Sequence, residues 1–330
     1  MRVLVVGAGR MGAIRVEDLV TDPRVDSVVI ANRNEERART LAEAHGAEVV
    51  PWSALADVEA DATVVAVGTD AHDEVLGATL PKGRPVLCEK PIALSLEGTQ
   101  AAIDLANKHN AGFQIGFQRR FDQPIRAIRE AVEADTMGTL YSMTMTAHDM
   151  TPSGREFMAG SGGIFRDMHV HDFDLVRWIT GSEIEQVYAT QAVREFPDFA
   201  DFDDGDVSAI SLNTLSGVQV LISGTRHGAL GHDVRMEVFG SKDSVSAGLN
   251  PRTPLHAMEG GLGINVDPYT GFVDRFRDAF LHETRAFVSF AAGEIDNPCP
   301  PDSALESLRV AIACDESIRT GQVVKVSTVS

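Results

Sequence analysis

Apolar residues in the first third of the chain fall in short unbroken runs separated by amphipathic stretches. Val3–Val6, Val28–Ala31, Thr63–Val67, Pro85–Cys88 and Phe113–Phe117 each read as a strand of the kind buried on both faces of a parallel sheet. Between them, Met11–Val20, Glu35–His45, His72–Pro81 and Leu96–Asn110 space their apolar residues as helices do, and Gly46 closes the second. This alternation predicts a doubly wound α/β domain over residues 1–118. In such a sheet ligands gather at the carboxyl ends of the strands.

Past residue 118 the pattern changes. Ile125–Ala134 reads as a helix, Thr139–Thr146 as a strand and Gly163–Ile179 as one further helix. Glu185–Val193, Val207–Thr214, Val218–Ser223 and Val234–Phe239 then alternate apolar and polar residues at short spacing, which predicts an open, mainly antiparallel sheet. Asn250–Gly271 is rich in Gly and Pro and reads as a long loop, functional or an assembly arm. Phe272, Phe276 and Phe280, then Leu305, Leu308 and Ile312, mark the apolar faces of two closing helices. Residues 119–330 are therefore expected to form one α+β domain that binds substrate and oligomerises. An open sheet has a face free to meet another subunit, so a homo-oligomer, tetramer or dimer, is expected.

Composition narrows the class. A chain of 330 residues favours two domains, and 44% hydrophobic content excludes disorder. Forty-eight acidic against 29 basic residues give a formal charge of −19, which disfavours nucleic acid and anionic membranes as partners. No apolar run approaches the roughly 20 residues of a membrane span. A strand and a glycine motif occupy the first residues, where a secretory signal would need room. Cys88, Cys299 and Cys314 show no paired spacing, and a cytoplasmic protein is expected.

The sharpest chemical signal follows the first strand. Gly7-Ala8-Gly9-Arg10-Met11-Gly12 is a G-x-G-x-x-G fingerprint between a strand and a helix, the arrangement that seats a dinucleotide pyrophosphate on a helix N-terminus. Arg10 and Met11 belong to that contact, and the strand-end rule adds Gly68, Thr69 and His72. An Asp or Glu about 20 residues beyond the last glycine binds the ribose hydroxyls of NAD. Here that position is Asn32, followed by Arg33 and, a helical turn on, Arg37. A neutral residue beside two arginines admits a 2′-phosphate, so NADP is the favoured cofactor and NAD the other.

Four motifs in order resemble a known family. Gly-Ala-Gly-Arg-Met-Gly at 7–12 is followed by Cys88-Glu89-Lys90-Pro91, by Gly116-Phe117-Gln118-Arg119-Arg120-Phe121-Asp122, and by the segment Gly162–Asp174. Together they resemble the glucose–fructose oxidoreductase / inositol dehydrogenase / rhizopine catabolism (Gfo/Idh/MocA) family, closest in pattern to inositol 2-dehydrogenases. The resemblance implies a dehydrogenase that passes hydride between a nicotinamide cofactor and a ring hydroxyl or ketone of a cyclic polyol or sugar. It implies Lys90, Asp167 and His171 as catalytic residues. Lys90 precedes Pro91 and is held extended at a strand end, where a cation favours the developing alkoxide. Asp167 and His171 are four apart, on one face of the expected helix, as carboxylate and general base. His169 and His171 point to nearly opposite sides, so no metal is expected. Glu89 is expected to place the lysine and the nicotinamide ribose. Arg120, His148, Asp149 and His232 are expected to line the substrate pocket with Asp167 and His171. His232 stands where inositol-type members often carry tyrosine. Two other readings are a dinucleotide-binding regulator without turnover, and an enzyme that recycles a tightly bound cofactor.

Overall fold

The computed structural model describes residues 1–256, 258 and 267–329. They form two compact units: Met1–Gln118 with Asp278–Leu305, and Arg119–Arg277 with the chain from Glu306 onward.

In the first unit strands and helices alternate: β1 (Arg2–Val6), α1 (Arg10–Val20), β2 (Ser27–Ala31), α2 (Glu35–His45), β3 (Glu48–Val50), β4 (Ala62–Val65), α3 (His72–Thr79), β5 (Val86–Glu89), α4 (Leu96–Lys108) and β6 (Phe113–Gly116). The strands form a parallel sheet in the order β3-β2-β1-β4-β5-β6. Its central register sets Val3 beside Val28 and Ala62, and Val5 beside Ile30 and Val64. All six side chains are buried, which is why these strands carry apolar residues without alternation. β3 is absent from the sequence reading: three residues with an exposed Glu48 carry no measurable period.

The second unit begins with α5 (Gln123–Glu133), β7 (Leu140–His148), α6 (Arg155–Ser161) and α7 (Val170–Thr180). It continues through β8 (Ile184–Ala192), β9 (Val207–Thr214), β10 (Gln219–Thr225), β11 (Asp233–Gly240) and β12 (Ser244–Ala247). α8 (Phe272–Ala291), α9 (Asp302–Thr320) and the short β13 (Val324–Lys325) complete the chain. The sheet runs β12-β11-β7-β10-β9-β8-β13 and is antiparallel except where β10 lies parallel to β7. Met143, Met145, Val187, Ala189, Ile210, Leu212, Val220 and Ile222 are buried on one face. Tyr188, Thr190, Ser211 and Leu221 alternate with them and are exposed on the other.

Three expectations need correction. The second domain does not run unbroken from 119 to 330, because Asp278–Leu305 returns to the first unit. Phe287 and Val288 of α8 join the core of Val3, Val5, Leu19, Ile30 and Val64, and the Ile115 N–H donates to the Cys299 carbonyl at 2.9 Å. A change of pattern along the chain marks where one unit ends, but not where a later segment packs back on it. The expected helix Gly163–Ile179 is also not regular. α6 stops at Gly162 (φ +76°), Gly163 follows at φ +85°, and Phe165–His169 forms a π-helical turn before α7. The closing helix with Phe272, Phe276 and Phe280 is kinked at Phe276 (φ −119°, ψ 20°). Residues 257 and 259–266 of the expected loop lie outside the described residues.

Candidate functional site

In the first unit the chain turns from β1 into α1 through three glycines with different duties. Gly7 has φ +116°, and a Cβ there would come within 2.4 Å of the Ala66 carbonyl oxygen. A Cβ on Gly12 would lie 1.9 Å from the Gly7 carbonyl oxygen, so α1 packs on its own turn at a distance that excludes any side chain. Gly9 is the opposite case: a Cβ there meets nothing within 4 Å. Gly9 is also the N-cap of α1 and supplies no side-chain acceptor to the first turn, where Arg10 and Met11 stand. An open approach over uncapped helical N–H groups fits a pyrophosphate.

The end of β2 is braced from within. Asn32 Oδ1 accepts from the Ala8 N–H at 3.0 Å, and Asn32 Nδ2 donates to the Asn34 carbonyl at 2.8 Å. Asn34 caps α2 by accepting from the Arg37 N–H at 3.1 Å, and the Arg37 side chain is exposed. Arg33 lies over the Trp52 ring, 5.0 Å from its centroid, and donates to Glu74 Oε2 at 2.6 Å. Gly68 is exposed after β4, and Thr69 opens the turn that leads to α3.

Lys90 is half-buried directly after β5. Its neighbours are held by groups remote in sequence. Glu89 Oε1 accepts from Arg15 Nε at 2.9 Å and Nη2 at 2.7 Å, and Arg15 also pairs with Glu283 of α8. Arg15 and Glu283 are fully buried, and burial, opposed by Arg15, raises the Glu283 carboxyl to about 7. Glu89 is thus drawn toward Arg15, a role the motif alone does not reveal. His72 is also placed differently from expectation. Its ring is buried, and Nδ1 donates to the Pro91 and Ile92 carbonyls at 2.9 and 3.1 Å. It braces the segment after Lys90 instead of presenting itself to a cofactor, and burial holds it neutral by lowering its pKa.

In the second unit Asp167 lies in the π-helical turn and His171, buried, in the first turn of α7. The two stand on either side of a π-to-α junction, a break that recurs at functional sites. Arg226, just past β10, organises this region. It is 2% exposed, donates from Nη1 to Asp167 Oδ2 at 2.7 Å, and has Asp149 and Asp204 each 3.8 Å away. Asp204 in turn accepts from the Ile164 N–H at 2.9 Å and holds the start of the π turn. Burial raises the Asp204 carboxyl above its ordinary range. His232 Nδ1 lies 3.5 Å from Asp149 Oδ1. Burial, with the charges of Arg119 and Arg275, lowers His232 to about 3, so its ring is neutral.

Arg226 therefore links Asp149 and Asp167, and Asp149 in turn lies beside His232. His148 ends β7, with its Nε2 3.1 Å from Ser223 Oγ, and its charge is among those that act on His232. Arg120 is bound by both oxygens of Asp174 at 2.8 and 2.6 Å and lies over Trp178, so it braces α7. Its neighbour Arg119 pairs with Asp172 at 2.6 Å, and Asp172 accepts from His169 at 2.8 Å. His169 Nε2 completes its ring contacts at Ser208 Oγ, 2.7 Å away. Among the described residues no group of three or more His, Cys, Asp or Glu is placed to hold a metal.

Arg15 and Arg226 were not singled out from the sequence. Arg15 interrupts the apolar stripe between Met11 and Leu19 at helical spacing, a usable signal of a buried charge. Arg226 carries a weaker one, a lone charge ending the alternating run 218–225.

Comparison with known proteins gives this arrangement a context. Residues 1–117 match the model of an oxidoreductase family with an NAD-binding Rossmann fold, and residues 125–246 match the GFO/IDH/MocA C-terminal domain. Over 328 residues the chain is 34% identical to a myo-inositol dehydrogenase, Hyg17, of Streptomyces leeuwenhoekii, covering 98% of this chain and 99% of that one. A probable dehydrogenase from Thermotoga maritima superimposes with a TM-score of 0.93 at 30% identity, covering 100% of both chains. A scyllo-inositol dehydrogenase from Lactobacillus casei, solved with NAD(H) and scyllo-inositol, does so with 0.88 at 25% identity and 99% coverage of both.

Proposed function

Because the chain belongs to the GFO/IDH/MocA oxidoreductase family, we propose that it is a nicotinamide-dependent dehydrogenase acting on a ring hydroxyl of a cyclic polyol, in the manner of inositol 2-dehydrogenases. One observation carries the reading. The open glycine turn, Lys90, Asp167 and His171 are present together in a chain that matches a myo-inositol dehydrogenase from end to end. The cofactor, when bound, supplies the hydride acceptor or donor. His171 takes the proton of the reacting hydroxyl, since imidazole titrates near neutrality. Lys90 stabilises the oxygen as negative charge develops on it. Asp167, turned by Arg226, steadies the charged imidazole or a neighbouring substrate hydroxyl. Asp149 and neutral His232 receive further ring hydroxyls, and a site built to pair each hydroxyl rejects analogues lacking one.

The favoured cofactor is NADP, with NAD as a second one. Support comes from neutral Asn32 in the place of the ribose-binding carboxylate, and from Arg33 beside it. The open sheet face of the second unit supports assembly into a dimer or tetramer. Three buried free thiols, Cys88, Cys299 and Cys314, suit a reducing, cytoplasmic compartment. No described helix is long and apolar enough to cross a membrane.

The test is cofactor reduction, followed by ultraviolet absorbance with NADP and with NAD across a panel of inositols and aldoses. Turnover with at least one inositol, above that with open-chain or anionic sugars, is expected. Stoichiometric binding of dinucleotide with no reduction by any member of the panel would overturn the reading.

A further inference from the structure

Three side chains from three separate elements meet at the end of β2. Arg33 follows the strand, Trp52 opens the turn Trp52–Ala54, and Glu74 lies in the first turn of α3. Glu74 uses both carboxylate oxygens: Oε2 accepts from Arg33 Nη2 at 2.6 Å and Oε1 from Trp52 Nε1 at 2.7 Å. The guanidinium lies over the indole, 5.0 Å from its centroid, so the three close a ring of two hydrogen bonds and one stacking contact. The hydrogen bonds from Arg33 and Trp52 hold the Glu74 carboxyl below its ordinary range, so it is charged at neutral pH. Arg33 and Glu74 each remain about half exposed.

The location gives this ring a meaning. Asn32, one residue before Arg33, bonds the Ala8 N–H of the glycine turn, which ties this strand end to the pyrophosphate cradle. The end of the second strand is where a dinucleotide's adenine ribose falls in this fold. A 2′-phosphate arriving there seeks the Arg33 guanidinium, whose Nη2 Glu74 already holds. The same carboxylate, bonded to Arg33, repels a dianion that pairs with that guanidinium. NAD, which brings only hydroxyls to that position, meets neither obstacle.

We propose that Glu74 is a cofactor-specificity residue, a carboxylate on a different element that competes with the 2′-phosphate for Arg33 and so limits the preference for NADP. This rests on reading the chain as a dinucleotide-dependent enzyme, but not on which dinucleotide the wild type prefers. Discrimination is then set by a charge supplied from α3, some forty residues beyond the strand end that ordinarily decides it. The Trp52 ring is a contact of Arg33 that does not depend on the charge of Glu74, so the guanidinium stays available once Glu74 is neutralised.

The experiment is direct binding, read by quenching of tryptophan emission on titration with NADPH and with NADH. The proteins are the wild type, Glu74→Gln, and Asp73→Asn as a control that removes one exposed charge from the same helix turn. Glu74→Gln is expected to tighten NADPH by about three- to tenfold at low salt and to leave NADH within about twofold. The gain is expected to shrink at high salt, and Asp73→Asn to change either cofactor by less than about twofold. Equal effects on both cofactors, no gain for NADPH, or the same gain in Asp73→Asn would overturn the proposal. A wild type that prefers NADH together with the predicted gain leaves Glu74 in its role and removes the NADP preference. A wild type that prefers NADPH without the gain does the reverse. Failure of every protein to bind either dinucleotide overturns both.

Discussion

Asp167 and Asp149 are half-buried and Asp204 is buried, and Arg226 lies among all three. Carboxylates placed together raise one another's proton affinity, and an arginine at hydrogen-bonding distance opposes that rise. Arg226 therefore acts through Asp167 as a positioning residue. Burial raises the Asp204 carboxyl and Arg226 opposes that rise, so in Arg226→Gln its proton affinity, and the proton uptake of the carboxylate cluster, should climb further. The acid limb of the pH profile of kcat/KM should then move to higher pH by about one unit or more. At pH 6 the variant is expected to lose roughly tenfold or more, and at pH 9 to recover most of it. Arg226→Lys, which keeps the charge, should leave the limb near its wild-type position. A uniform loss at every pH would mean that Arg226 only supports the fold.

At the scale of elements, the Arg15 cluster ties α1, the end of β5 and α8 within the first unit. One buried cation faces Glu89 and Glu283, so one carboxylate is in excess, and burial leaves Glu283 holding its proton up to about 7. A folded pKa above the unfolded value near 4.5 gives stability that is full below about pH 4.5 and lost as pH rises through about 7. Between pH 5 and pH 8 this loss is of the order of 2 kcal/mol, several degrees in Tm. Glu283→Gln cannot ionise, so its Tm should fall less over that interval, and parallel curves for the two proteins would refute the assignment. The cluster also shows what a sequence can disclose. Gly7 at φ +116° and Gly12 packed on the Gly7 carbonyl are demands of the local turn, and the apolar runs of β1, β2, β4 and β5 follow from a sheet covered on both faces. Glu89 and Glu283 lie 74 and 268 residues from Arg15, and no local pattern specifies that meeting. The π turn at Phe165–His169 is hidden for a related reason. Its residues keep helical spacing, while the break arises from Gly162 and Gly163 and from Asp204 holding the Ile164 N–H.

At the scale of the whole molecule, the open sheet face of the second unit is the feature that a single chain leaves unexplained. Strand register lines up Tyr188, Ser211, Leu221, Thr144 and Glu237 across β8, β9, β10, β7 and β11. The next row is Thr190, Ala209, Ser223, Thr146 and Arg235. Leu221 is 58% exposed and Tyr188 42%, while Ser211, Thr144, Ala209 and Ser223 beside them are short. Short Ser, Thr and Ala side chains in the middle of the face let a second sheet approach to about 10 Å, and Leu221 and Tyr188 supply the apolar area that such contact removes from water. The charges in these two rows, Glu237 and Arg235, both lie on β11 toward one side of the sheet. For a chain of net charge −19, copies meeting across a face with so little charge incur the least repulsion. Sedimentation of the wild type at micromolar concentration should therefore give a dimer or tetramer, with a Tm that rises with protein concentration. Leu221→Glu sets like charges against each other near the middle of the proposed contact without disturbing the buried face. It should yield a folded smaller species whose Tm no longer depends on concentration. A monomeric wild type, or a variant that keeps the full assembly, would show that this face meets something other than its own copy.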